Sequence, residues 1–164
     1  METTDLLRAA VVFLHAAMED VLRSMLEWKW PQTTLKSSLE DVGLLIGSDL
    51  QRKISLADLL VYRGSSIDDV IRLSIGAHLA KSNFNNVGEI KKALKRSDLS
   101  QTLVSGFEGD LAAMMARRHL IVHRADRHDV GGSGHHAAAS LGQGLVENWI
   151  AAVEGFCKGI VAAL

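Results

Sequence analysis

FEGDLAAMMARRHLIVHRA, residues 107–125, decides how the chain folds. Phe107, Leu111, Met114 or Met115, Arg118 and Val122 recur at steps of three and four, the spacing that lines side chains along one face of an α-helix. The segment is predicted as helix, and its later turns gather an uncommon chemistry. Residues 117–129, RRHLIVHRADRHD, hold four arginines and three histidines in thirteen positions.

The helical period continues outward. Leu7, Val11, Leu14, Met18, Val21 and Met25 define an amphipathic helix over residues 4–29, stopped by Pro31, the only proline. Thr3 or Thr4 is expected to cap its start, and Glu19, Arg23 and Glu27 have the spacing of i,i+4 ion pairs. Ile67, Val70, Ile71, Ile75 and Leu79 mark a helix over 66–82, introduced by Ser66 with Asp68 and Asp69 at the positive end of its dipole. Phe84-Asn85-Asn86 reads as a turn, with Asn tolerating unusual backbone angles, before a short basic helix, VGEIKKALKR. After Gly131-Gly132-Ser133-Gly134, a loop, a last helix spans about 138–163, marked by Leu141, Leu145, Trp149, Val153 or Ala152, Phe156 and Ile160. Its interior glycines cost up to about 1 kcal/mol each relative to alanine. Residues 33–64 break the pattern and read as one or two brief helices joined by loops, and no strand-like alternation stands out anywhere. The expectation is an all-α bundle of four to five main helices plus short ones, in a single domain over residues 1–164.

Composition excludes several functions. With 18 Lys+Arg against 19 Asp+Glu and a formal net charge of −1, the surface as a whole offers no field for nucleic acid or acidic membrane, so any anion site is local. One cysteine, Cys157, excludes an internal disulfide framework and a cysteine-based zinc site, and fits a cytoplasmic compartment. The first helix is interrupted by Arg8, His15, Glu19 and Asp20, which argues against a signal peptide or a membrane span.

The cluster divides into roles. Arg118 offers a permanent charge in a planar fork suited to phosphate oxygens, and His123 exchanges a proton near neutral pH. Five residues place them about 140° apart around the helix, so they flank a cleft rather than share a stripe. His119, one turn before His123, can bond a phosphate or hold the catalytic ring, while Arg117, Arg124 and Arg127 add positive potential. Asp126 can orient a histidine or pair with an arginine, and Glu19 on the first helix, with Asp20, can face the cluster and tune His123. Two plainer readings compete. Cations near a helix C-terminus are favoured by the macrodipole alone. His119 and His123 also have the spacing of a zinc pair, but the glutamate of HExxH is missing, and His128, His135 and His136 would join only if the glycine loop folded back. Trp28, Trp30, Tyr62 and Trp149 are candidates for stacking on bases, Trp149 fitting core or interface better.

RHLIVHRAD at 118–126, RAAVVFLHAAMEDVLR at 8–23 and the Phe84-Asn85-Asn86 turn between them resemble the HEPN superfamily, closest to its RiboL-PSP-HEPN branch. The hallmark there is an arginine, four to six residues, then a histidine, often with a polar residue directly after the arginine. Arg118, His119 and His123 fit it, and Arg117, six residues before His123, fits the spacing too. The resemblance covers most of the chain, thinly between Thr33 and Gly64. It implies a metal-independent endoribonuclease without a cofactor, commonly the toxin of a toxin–antitoxin pair or an antiviral effector. It also implies a homodimer whose two motifs share one composite cleft, His123 as acid or base, Arg118 stabilising charge on the phosphate, and products with a cyclic or terminal phosphate. Some members bind RNA, nucleotide or a protein partner without cleaving, which is the alternative.

Overall fold

The computed structural model describes residues 2–34, 36–124 and 140–164, with the side chains of residues 2, 3 and 124 left aside. Six α-helices carry the described residues: α1 (Glu2–Lys29), α2 (Lys36–Leu39), α3 (Ile67–Ala80), α4 (Val87–Arg96), α5 (Glu108–Arg124) and α6 (Gln143–Ala163). The architecture is an all-α bundle in which α1 packs on α5, α6 and α3. α2 is a single turn, so five helices are substantial, as the periodicity predicts.

α1 is long because its apolar face meets a partner at every turn. Val11, His15, Met18, Leu22, Met25 and Leu26 are buried along it, against Leu111, Met114 and Met115 of α5 and Val146, Trp149, Val153, Phe156 and Ile160 of α6. Each such apolar side chain contributes roughly 1.5–3 kcal/mol by leaving water. The surprise in this stripe is His15, which the hydrophobic pattern passes over. Trp149 is a core residue, whereas Ile67 and Leu145, assigned to inward faces from spacing, are exposed; both lie in the first turn of their helices, and Val70 and Val146 occupy the inner positions.

The helix ends follow local chemistry, with three corrections. α1 begins at Glu2, so Thr3 and Thr4 lie inside its first turn rather than before it, and acidic Asp5 lies near the positive end of the dipole. Ser66 does cap α3, accepting from the Asp69 N–H at 3.1 Å. Asn86 keeps an ordinary extended backbone (φ −151°) and works as the cap of α4, its Oδ1 accepting from the Glu89 N–H at 3.0 Å, rather than as a residue of unusual backbone angle. The third correction concerns residues 33–64, which include a small antiparallel hairpin, β1 (Leu44–Ile46) and β2 (Asp49–Gln51), with Leu45 opposite Leu50. Gly47, at φ +63°, makes its two-residue turn, a conformation that costs other residues a Cβ clash. The buried Ser74 hydroxyl of α3 accepts from the Leu45 N–H at 3.0 Å and ties the hairpin to the bundle.

Within α6, Gly155 marks a close approach. A Cβ there would lie 2.8 Å from Phe107 Cε1, and Phe107 also packs on Phe156 with ring centroids 6.5 Å apart. Phe107 immediately precedes α5, so this contact sets where the arginine–histidine helix starts.

Candidate functional site

α5 presents two sets of residues. Ala112, Ala116, His119 and His123 fall within one narrow sector at 100° per residue, on the exposed side, while Leu111, Met114 and Met115 are buried. The His119 and His123 rings accordingly meet, with centroids 4.6 Å apart and planes tilted by 45°. Arg118 stands to the side of this row, facing toward α1.

Adjacent arginines have separate fates. Arg117 Nη2 donates to the Ser140 carbonyl at 3.1 Å and holds the segment that leads into α6. Arg118 lines a cavity of about 630 Å³ with His119, and its Nε is buried without a hydrogen-bond partner. The cavity runs between α5 and the start of α4, where Asn85, Asn86 and Val87 form the opposite wall. His123 lies one turn beyond the stretch of α5 that lines it, exposed.

That opposite wall is delivered by α1. Glu19 Oε1 accepts from the Phe84 N–H at 2.9 Å, and Arg23 donates to the Leu79 and Ser82 carbonyls at 3.2 and 2.9 Å. Two residues one helical turn apart thus grip the end of α3 and the turn after it, rather than each other. Glu19 is therefore a scaffold for the Phe84-Asn85-Asn86 turn. Its second oxygen lies 3.9 Å from His15 Nδ1, so the carboxylate is engaged with His15 and Phe84, not with His123 as expected from sequence. Asp20 is exposed.

His15 is the site residue that pattern reading misses. It is 1% exposed, with no hydrogen-bond partner at either ring nitrogen. Burial pushes its pKa below the ordinary histidine range; the Arg118 charge adds to that, while Glu19 and the Phe84 backbone oppose it. A neutral imidazole behind Arg118 leaves that cation free of a second positive charge. The signal available in the sequence was its register with Val11, Met18 and Leu22.

Of the remaining sequence candidates, Arg124 ends α5, and its side chain, like Asp126, Arg127, His128, Asp129, the glycine loop, His135 and His136, lies outside the described residues. Among the described residues no group of three His, Cys, Asp or Glu could hold a metal ion. Of the aromatic candidates, Trp30 and Trp149 are buried, Tyr62 is partly buried, and Trp28 is half exposed and distant in sequence from the cluster. Cys157 is only half-buried, with burial raising its thiol pKa. No described helix is long and apolar enough to cross a membrane. Comparison of the chain with protein-family models, with curated proteins and with solved structures finds no match in any of the three.

Proposed function

We propose that the chain is a metal-independent endoribonuclease of the HEPN type, acting as a toxin or defence effector in the cytoplasm. The observation that carries this reading is where the two arginines stand: Arg117 Nη2 donates to the Ser140 carbonyl, whereas Arg118 lines the cavity beside His119, the Nε of each being buried without a hydrogen-bond partner among the described residues. A charged planar donor at the edge of a cavity and next to two imidazoles suits a phosphodiester. In the reaction, a ribose 2′-hydroxyl loses its proton, its oxygen attacks the adjacent phosphorus, and the 5′-oxygen leaves with a proton. His123 serves as acid or base, His119 supports its ring or bonds the phosphate, and Arg118 neutralises charge gathering on the phosphoryl oxygens.

His123 lies exposed beyond the cavity, and a two-fold pairing of protomers brings the second motif across it, completing the site in the homodimer. Incubating the protein with defined transcripts in EDTA, beside His123→Ala, tests the proposal. New ends made by the wild type alone support it. Intact RNA with both proteins, each folded and dimeric, favours a noncatalytic module that binds RNA, a nucleotide or a protein partner such as an antitoxin.

A further inference from the structure

The cavity beside Arg118 has more room and a different lining than a phosphate needs. Ala112 and Ala116, one turn apart on α5, line it together with buried Met115 and with Leu120. Val87 faces it from α4. These walls are apolar, and methionine sulfur and methyl groups make favourable contacts with aromatic rings. At about 630 Å³ the space lies in the range of small-molecule sites.

The polar groups stand at the rim. Asn85 and Asn86 come from a turn whose backbone is fixed on both sides: Glu89 Oε2 accepts from the Asn85 N–H at 2.8 Å, Asn86 Oδ1 accepts from the Glu89 N–H, and Glu19 holds Phe84. Asn86 spends its oxygen on the helix cap. The Asn85 carboxamide makes no hydrogen bond among the described residues, although its backbone is pinned. Asn85 is exposed at the cavity rim, and an amide with no protein partner can pair with the adjacent donor and acceptor of a base edge, Asn with adenine above all. Arg118 completes the rim with positive charge beside the His119 ring, where the phosphate attached to that base would lie.

We propose that this cavity seats one unstacked purine base of a single-stranded RNA, read by the Asn85 carboxamide, with its phosphate on Arg118 and His119. At about 630 Å³ the cavity has room for a two-ring base, and the choice of purine over pyrimidine falls to the Asn85 carboxamide. This deepens the ribonuclease reading by giving that site a sequence preference, and rests on that reading only for its consequence in cleavage.

The test uses binding first, so that it stands apart from turnover. AMP is titrated into the full chain carrying labelled methionine and alanine methyls, followed by NMR. Met115, Ala112 and Ala116 methyls should shift in a saturable way, and CMP should bind about tenfold more weakly, a factor of the size one bidentate base contact supplies. Asn85→Ala should remove that discrimination while leaving the fold, since its side chain supports nothing. Ala116→Leu should remove the methyl shifts altogether. Where the wild type cleaves, Asn85→Ala should flatten the base preference beside the cut, whereas His123→Ala should lower cutting alike at every site. Absent methyl shifts with AMP, or equal binding of AMP and CMP, overturns the purine pocket even in an active nuclease; methyl shifts in a protein that cuts nothing support the pocket and refute the nuclease.

Discussion

Replacing Gly155 by alanine sets two effects against each other whose sizes are known. In an exposed helix interior the change gains about 0.8–1 kcal/mol from lower backbone entropy in the unfolded chain. At 155 the new Cβ would fall 2.8 and 2.9 Å from Cε1 and Cζ of Phe107, closer than carbon atoms tolerate. Phe107 cannot simply swing away, because its ring also packs on Phe156 and its backbone starts the turn into α5. Overpacking of this kind costs about 1–3 kcal/mol. Gly155→Ala should therefore be neutral to about 2 kcal/mol destabilising, while Gly159→Ala, with nothing within 4 Å of its added carbon, should gain up to about 1 kcal/mol. Urea denaturation followed by circular dichroism measures both, and Phe107→Leu combined with Gly155→Ala should recover much of the loss. Equal stabilisation by the two alanines would refute the close packing of α6 on the residue that positions α5.

Glu19→Ala should cost about 1.5–3 kcal/mol, the worth of a charged hydrogen bond, and shift the Asn85 and Asn86 amide resonances; unshifted resonances would mean that the turn holds itself. Asn86→Ala should cost about 1 kcal/mol by uncapping α4, read by thermal melting, and an unchanged midpoint would remove the cap from the account. Because burial keeps the pKa of His15 low, the unfolded chain binds more protons than the folded one below about pH 6.5. Stability should therefore be fully present above that pH and fall as pH drops toward the folded value. His15→Leu should flatten the fall, and melts from pH 8 to 5 with an unaltered slope in the variant would place the acid sensitivity elsewhere. Arg118→Ala and His123→Ala should each lower RNA cleavage by about 10²–10⁴-fold, with Arg117→Ala far milder because its guanidinium serves Ser140; the reverse order would move the phosphate role to Arg117.

Long periodic segments were legible because burial on one side repeats every turn: α1, α3, α4 and α5 lie where spacing puts them, within a few residues at the ends, whereas α6 starts only at Gln143, and Leu141, read from spacing as part of it, is buried in the segment before it. The hairpin at 44–51 was not, since three-residue strands carry too few alternations to register and are held by contacts such as Ser74 to Leu45 that no local pattern encodes. The glycine followed by serine at 47 and 48 was the one local clue. The row His119–His123 was legible from i,i+4 spacing, but the different surroundings of Arg117 and Arg118 were not, because they turn on which guanidinium meets a carbonyl 23 residues away.

The same difficulty explains Glu19 and Arg23. Their spacing predicts an exposed ion pair worth a few tenths of a kcal/mol. In the fold each finds backbone groups instead: Glu19 the Phe84 N–H, and Arg23 two carbonyls at and beyond the end of α3, where helix carbonyls lack partners within the helix. A charged hydrogen bond to such a group is worth about 1.5–3 kcal/mol. The tertiary arrangement wins by that margin. It also carries a consequence for the site, since the turn held by the α1 pair forms one wall of the cavity whose other wall holds Arg118 and His119. Stability and site geometry thus depend on the same two side chains, and a change that frees either one should loosen the cavity before it unfolds the bundle.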